Sequence, residues 1–433
     1  MRLFPVLILG CCAACVMSPA HAWGASFALS ENGAKAQAMG GAFVGQADDP
    51  SAVWYNPAGL VRQGGRSISV GANFFFPDIS ADDVNGVRRN KDDGTHADGD
   101  SGTVLITGNN YAGWRVSDRV GLGFGINTPF GLAVDWEDDA FLRYQSSFAE
   151  LRTLYFTPAI ALQLSDRISA GLGVSYIYAD AELERKLYVG PGLADGTFQL
   201  GGEAREWGYS AGVQAVLAEN AGVLDRLTLG ATYHSAVVLD FKSSDSVVNF
   251  TFPEPGLAPE APDSKVSTTI DLPEIWTVGL SAQLGGRTTV NLDVSRFGWS
   301  TFEAIDIQAE NEQTQRALDH AEILPNPVVR DYEDTWTIRV GGEHWLDDTW
   351  AVRLGYAFDQ TPITDEHLDP ILPDADRHFL MAGCGFRHGD FSVDATYTAV
   401  FYEDVSTSTN AEGFNVDYDS FSHIASLALN YHF

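Results

Sequence analysis

The sequence predicts an all-β chain: a 14-stranded antiparallel transmembrane β-barrel plugged by an N-terminal hatch. Three observations predict it. Apolar and polar residues alternate with period two along many segments. Tight turns and long polar insertions take turns between those segments. An export signal precedes them all. The composition agrees, because 43 Gly with 25 Phe, 15 Tyr and 10 Trp in 433 residues favours strands and turns over helices. A net charge of −32 leaves no basic surface to neutralise phosphates, which excludes nucleic acid as a partner.

Residues 1–22 read as a secretory signal peptide. Arg2 is followed by an apolar run over 3–16, and Ala20-His21-Ala22 places small residues at −3 and −1 of a cleavage site. Cys11, Cys12 and Cys15 lie in this segment, in poor lipobox contexts. After cleavage Cys384 is the one cysteine left, so no intramolecular disulfide can form. Beyond the signal there is no run of 18 apolar residues, which argues against an inner-membrane helical protein.

Residues 65–433 read as the barrel. Near the C-terminus Phe421, His423, Ala425, Leu427, Leu429, Tyr431 and Phe433 share one face, and Ser422, Ser426 and Asn430 lie on the other. The same pattern places Ile68, Val70, Ala72, Phe74 and Phe76 opposite Ser67, Ser69, Gly71 and Asn73. It recurs at 168–178, 227–239, 352–359 and 391–401. A half-buried sheet in water would show charge on its polar face. Here that face, though it also carries Ile424 and Ala428, is rich in Gly, Ser, Thr and Asn, as expected of a narrow polar lumen.

The turns set the topology. Short punctuation occurs at 117–119, 165–167, 224–226, 285–287, 347–349 and 388–390, with long polar stretches near 77–102, 128–150, 185–205, 243–266, 305–331, 361–377 and 403–418. Six tight turns join twelve strands, and one strand at each end makes 14, an even number as bacterial barrels require. Closure follows because hydrocarbon cannot satisfy an open sheet edge. Trp114, Trp207, Trp276, Trp336, Trp350 and Tyr431 fall near strand ends, where they suit interfacial girdles or act as core aromatics. The ending Tyr431-His432-Phe433 suits recognition by the barrel-assembly machinery. Outer-membrane lipid and lipopolysaccharide are the expected surroundings, and the bacterial outer membrane the expected location.

Residues 23–64 do not alternate. They are rich in Gly and Ala, low in charge, and carry the cluster Val53, Trp54, Tyr55 and Leu60. A 14-stranded barrel is too wide for strand side chains alone to fill. The segment is therefore expected inside as a hatch rather than outside as a solvated tail.

These residues resemble a known family. Asn56-Pro57-Ala58 after Asp48-Asp49-Pro50 looks like the hatch of the FadL/TodX outer-membrane transporters of hydrophobic compounds. Asn127-Thr128-Pro129-Phe130-Gly131 is similar too, as are Arg143-Tyr144, Thr157-Pro158-Ala159, Leu272-Pro273-Glu274-Ile275-Trp276, Tyr356-Ala357-Phe358-Asp359-Gln360 and Pro373-Asp374-Ala375-Asp376-Arg377. No single motif is specific, but the ordered set spans nearly the whole chain. The resemblance implies passive capture of a hydrophobic molecule by outer loops, a binding pocket inside, and sideways exit through a gap at the third strand. Long-chain fatty acids are the first expected substrate, with aromatic or alkane hydrocarbons as the alternative.

The wall opening is expected at Gly121, Gly123, Gly125, Pro129, Phe130 and Gly131, since glycine permits bends and proline cannot donate to a ladder. The competing reading is that the glycines make room for the hatch. Trp23 and Phe27, at the hatch start, are expected to touch ligand. Arg339 and Arg353 are predicted to face the lumen and could pair with a carboxylate, or with Asp359, Glu343 or Asp394. The prolines of 253–262, beside Phe250 and Phe252, suit an apolar landing groove or a rigid loop, and 309–321 suits a short loop helix. Acidic clusters at 78–100 and at Asp365, Glu366 and Asp369 could bridge to lipid headgroups through divalent cations, although solvated loops are the default. No cofactor, resident metal or enzyme motif is expected: the ten histidines show no HExxH spacing, and Gly121-x-Gly123-x-Gly125 is not followed by a helix. A general diffusion porin is disfavoured by the hatch and by the lack of a charged eyelet, and an outer-membrane enzyme or adhesin is the remaining rival. No energy-coupling motif stands near residue 23, so movement is expected to be downhill.

Overall fold

The computed structural model describes residues 26–83, 99–101, 104–190, 193–252, 263–319, 326–407, 410–411 and 414–433. The signal-peptide reading, Trp23, the prolines of 253–262 and, from the 78–100 acidic cluster, Asp92, Asp93 and Asp98 lie outside these residues.

Fourteen strands carry the alternation into three dimensions. They are β1 (Arg66–Asp83), β2 (Leu105–Ser117), β3 in two pieces (Val120–Asn127 and Gly131–Asp135), β4 (Phe148–Gln163), β5 (Ile168–Leu187) and β6 (Gly196–Ala221). β7 runs Leu224–His234 and resumes at Val237–Phe241, and β8 runs Ser264–Leu272 and resumes at Ile275–Leu284. β9 (Thr288–Phe297), β10 (Thr335–Trp345), β11 (Trp350–Asp359), β12 (Arg377–His388), β13 (Phe391–Tyr402) and β14 (Val416–His432) complete the set. Each pairs antiparallel with its sequence neighbour. β14 returns to β1, from Ser67 opposite His432 to Asp83 opposite Val416, and closes the barrel.

The faces follow from the pleat. Leu122, Ile160, Leu172, Val278, Leu292, Ile338, Leu354 and Leu429 are exposed on the outer wall, while Ser69, Asn73, Thr107, Thr232, Ser281 and Thr398 are buried inside. Such a skin belongs in lipid, with aromatics at its rims. Trp276 and Trp336 are exposed at strand ends on the long-loop side, Trp207 is exposed within the long β6, and Trp114, Trp350 and Phe391 are exposed at the tight-turn side. The membrane part of β8 has 10 residues, as have β9 and β11, matching the roughly 9–11 that a tilted strand needs to cross a bilayer.

Two sequence expectations change. The turn expected at 224–226 sits two residues earlier, around Gly222, whose φ of 67° suits a residue without a Cβ. The stretch 185–205 is mostly strand: β5 has 20 residues and β6 has 26, so this hairpin continues well past the membrane. β1 likewise reaches Asp83. Above the bilayer the faces of β5 reverse, with Asp180, Glu182, Glu184 and Lys186 on the face that is apolar lower down and Ala179, Ala181 and Leu183 on the inner face, so the membrane pattern stops and the stretch looks like loop in sequence. The loop helix forms at Glu312–Leu318, N-capped by the Asn311 side chain.

Residues 26–64 pack inside the barrel, with short helices at Ala34–Gln37 and Ala52–Tyr55 and a 3-10 turn at Pro57–Arg62. Met39, Phe43 and Leu60 are fully buried. Contact is backbone-close around most of the circumference. A Cβ at Gly121, Gly171, Gly212, Gly230, Gly341 or Gly355 would lie 2.0–2.5 Å from an atom of this segment. These lumen glycines give the segment its seat.

Candidate functional site

Asn56-Pro57-Ala58 is a docking element. Asn56 Oδ1 accepts from the Ala58 N–H at 3.1 Å and caps the 3-10 turn, while Pro57 opens it with no N–H to satisfy. Asn56 Nδ2 donates to the carbonyls of Val44 (2.9 Å) and Val213 (3.1 Å), tying the turn both to its own segment and to β6. Opposite, Asp293 Oδ2 on β9 accepts from the N–H groups of Phe43 and Val44 at 2.8 and 2.9 Å. Thr396 on β13 donates to the Ala34 carbonyl at 2.6 Å. The segment is thus held from three sides of the barrel.

The wall is broken at one place on β3. Its first piece is paired on both sides, with β2 from Asn110 to Ser117 and with β4 from Tyr155 to Leu162. Its second piece pairs with β4 alone, and Leu105 to Asn109 of β2 pair with β1 alone. Between the pieces, residues 128–130 leave the ladder and turn inward to the start of the N-terminal segment. Leu29 N–H donates to the Pro129 carbonyl and Gly131 N–H to the Phe27 carbonyl, both at 2.8 Å, and Ala28 pairs with Phe130.

Of the two readings open for the glycines, the structure favours the second, room for the N-terminal segment. Gly121, Gly123 and Gly125 do not stand in the break. They face the N-terminal segment, where a Cβ on Gly123 would meet Val53 at 2.5 Å and Leu60 at 3.0 Å. Pro129, Phe130 and Gly131 are the residues at the break itself.

Two cavities flank the same stretch. The outer one holds about 910 Å³, partly continuous with solvent, and is lined by Phe27, Leu132, Leu151, Leu183, Phe241, Ile270, Phe302 and Leu372 among others. The inner one, about 640 Å³, is lined by Leu29, Gly41, Trp54, Pro129, His234, Asp293 and Arg339. Phe27 lines the first, whereas Ala28, Leu29 and Ser30 line the second. Residues 27–30 therefore form the partition, and the broken strand adjoins the inner cavity through Pro129. Phe27 is fixed by edge-on contacts with Trp299 (centroids 4.7 Å apart), Phe302 (5.9 Å) and Phe130 (6.4 Å). The outer loop 361–376 holds the preceding residue: Asp374 Oδ2 accepts from Ser26 N–H at 2.9 Å and from Thr361 Oγ1 at 2.7 Å. Burial pushes the Asp374 carboxyl above its ordinary range, and does the same to Glu31.

A family model described as outer membrane protein transport protein (OMPP1/FadL/TodX) matches residues 13–433. The chain belongs to the FadL/TodX family. A long-chain fatty acid transport protein of Salmonella typhi is 27% identical over 403 residues, covering 86% of this chain and 87% of its own. A putative outer membrane protein of Neisseria meningitidis serogroup B is 28% identical, covering 95% and 93%. Among solved structures, a Pseudomonas aeruginosa FadL homologue superposes with a TM-score of 0.76 at 21% identity, over 94% of this chain and 99% of that one. The P. putida toluene transporter TodX gives 0.73 at 17%, over 93% and 98%. At such identities the structures share the fold. This FadL/TodX member is an outer-membrane protein.

Of the two candidate arginines in this family member, one is committed. Arg353 is buried between Glu343 and Asp394, each 2.7 Å away, and Asp394 is further bonded by Asn430. It takes no part in lining either cavity. Arg339 does line the inner cavity. Its Nη1 donates to Ser295 Oγ at 2.8 Å, and among the described residues it has no carboxylate within ion-pair distance. Sequence reasoning missed Trp299 and Phe302 and gave Asp374 only as part of a family motif, because their roles come from chain segments more than 270 residues away. The aromatic pair in Trp299-Ser300-Thr301-Phe302, directly after a strand, was the available signal.

Proposed function

We propose passive, hatch-gated uptake of hydrophobic molecules across the outer membrane, with residues 26–64 as the hatch and lateral release at the break in β3. The observation that carries this reading is the partition. One short stretch separates an apolar outer cavity from an inner cavity and also pairs with the interrupted wall strand. Displacing residues 27–30 would join the cavities and unpair residues 128–131 together. An apolar solute gains by leaving water for such a cavity, and gains again on entering hydrocarbon. Downhill partition therefore suffices as the driving force.

Long-chain fatty acids are the first substrate class, supported by the Salmonella typhi relative and by Arg339, a guanidinium open to a carboxylate in the inner cavity. A second reading has its own support. The charged residues lining the outer cavity are Glu150, Glu182 and Arg330, and Arg330 forms an ion pair with Asp369 at 2.5 Å. That balance favours uncharged hydrocarbons over anions. Uptake of labelled oleate and labelled toluene by cells lacking their own transporter separates the two. Cells carry either the intact chain or a copy without residues 23–64. Uptake restored by the intact chain alone supports the reading. Restoration of neither compound, with the barrel confirmed in the outer membrane, contradicts it.

A further inference from the structure

Two asparagines stand at the foot of the wall break, one on each face of the sheet. Asn110 opposite Ile126 is the last β2–β3 pair before the strands part. Asn127 is the next residue on β3 and pairs with Tyr155 of β4 alone. Tyr111 Oη donates to the Asn32 carbonyl of the N-terminal segment, so the odd-numbered residues of β2 face the lumen. Asn110 therefore lies on the bilayer face, in line with the exposed Trp114 and Val116, flanked by Gly108 and Ala112 along the strand and by Val70 and Ile126 across it. Asn127 faces the lumen, where its Nδ2 donates to Asn32 Oδ1 at 2.7 Å.

Both side chains are more than nine-tenths buried, and in both the Oδ1 atom is buried with no hydrogen-bond partner. The orientation of Asn127 is set. Asn32 Nδ2 is already used on the Leu29 carbonyl at 2.8 Å, so turning the Asn127 amide over would set oxygen against oxygen. An amide oxygen buried without a donor is costly in the lumen and, for Asn110, on a face where hydrocarbon offers none. Asn110 is the harder case, since an apolar residue would suit its position on the lipid face.

We infer that Asn110 and Asn127 form a polar sill over which an amphiphile's headgroup leaves the lumen, and that the sill accepts a hydroxyl-bearing, uncharged headgroup: a neutral carboxylic acid or an alcohol. The inference rests on the lateral-release reading above. The chemistry follows from the atoms left over. Both are acceptors, so they pair with an O–H donor. Neither asparagine side chain is hydrogen-bonded to a cationic side chain among the described residues, so a carboxylate would meet oxygens with no paired cation to balance its charge. An ester presents acceptors alone and gains nothing there.

The test uses oleyl alcohol and methyl oleate, which share one chain and differ in the donor. Uptake of each is measured in cells carrying the wild-type chain, Asn110→Leu, or Asn110→Thr, which keeps a hydroxyl oxygen. The wild type is expected to favour the alcohol by about five- to tenfold, the worth of one hydrogen bond made away from water. Asn110→Leu is expected to bring that ratio close to one with ester uptake unchanged, and Asn110→Thr to keep most of it. An unchanged ratio in Asn110→Leu, or equal loss of both compounds, overturns the sill. Wild-type uptake of neither compound overturns the transport reading, and the sill with it.

Discussion

The backbone N–H of Leu29 donates to the carbonyl oxygen of Pro129 at 2.8 Å. This bond joins the N-terminal segment to the point where the barrel wall loses its ladder. Proline cannot donate to a neighbouring strand, and residues 128–130 have left the pairing between β2 and β4. The Pro129 carbonyl and the Gly131 N–H are bonded instead by residues 27 and 29, while the Phe130 carbonyl accepts from Thr153 Oγ1 of β4 at 2.6 Å. The N-terminal segment and the wall are joined by backbone hydrogen bonds here, so moving one exposes the other.

Replacing Gly123 with Val should unseat the segment without preventing membrane insertion. The added Cβ would lie 2.5 Å from Val53 and 3.0 Å from Leu60, inside a fully packed contact. Conductance of the purified protein in planar bilayers should rise several-fold as the plug loosens. Wild-type conductance would show that the glycine is dispensable for seating.

Asn56→Ala should loosen the same segment from within. It removes an N-cap and leaves the carbonyls of Val44 and Val213 without the Nδ2 donor. A loss of about 1–3 kcal/mol is expected for a cap and a buried hydrogen bond together. Hydrogen exchange of residues 43–62 should therefore quicken by about ten- to a hundredfold. Protection equal to wild type would remove Asn56 from the seating account.

The two arginines should separate stability from selectivity. Arg353→Met leaves Glu343 and Asp394 buried and unpaired, which costs about 3–5 kcal/mol. The barrel should unfold at lower temperature on heat-modifiability gels, with the oleate-to-toluene uptake ratio unchanged. Arg339→Gln should behave oppositely, lowering oleate uptake by about tenfold or more, as loss of a charge-assisted bond implies, while sparing toluene and stability. A ratio that moves with Arg353 but not with Arg339 would reverse these assignments.

Acid should seat the segment more firmly. Burial raises the carboxyls of Glu31 and Asp374 above their ordinary range. The seated form therefore binds protons more tightly than a released one, in which these groups return to about 4. This contribution is fullest below that ordinary range and is lost as pH rises through the raised values. Protection factors for residues 27–32, corrected for intrinsic exchange, should be higher at pH 5 than at pH 8. Glu31→Gln with Asp374→Asn should flatten the difference. Protection that grows with pH contradicts the sign.

The barrel was legible in the sequence because its rules are local. Period two, tight turns at 165–167 and 347–349, and the Asn56-Pro57-Ala58 motif each declare themselves within a few residues. The upper parts of β5 and β6 were not legible, since the apolar residues there, Ala181, Leu183 and Leu200 among them, face inward and charged ones take over the outer face, which breaks the membrane pattern. Both readings of the β3 glycines stayed open in the sequence for a related reason: a glycine that admits a bend and one that admits a neighbouring backbone look alike until the neighbour is known. Only Val53 and Leu60, seated against Gly123, decide between them. The cavities lay further out of reach. Phe27 meets Trp299 and Phe302, and Ser26 meets Asp374, across nearly the whole chain.

The central claim is that residues 27–30 must part from residues 128–131 for a solute to pass. Ala28 and Phe130 face each other as a non-hydrogen-bonded antiparallel pair, flanked by the two backbone bonds, and such pairs stand about 4.5 Å apart at Cα, within disulfide range. The most direct measurement is oleate uptake by the Ala28→Cys/Phe130→Cys variant in a Cys384→Ser background, oxidised and then reduced. The account predicts at least a tenfold loss in the oxidised state and recovery on reduction. Equal uptake in the two states, with the disulfide verified, would contradict it.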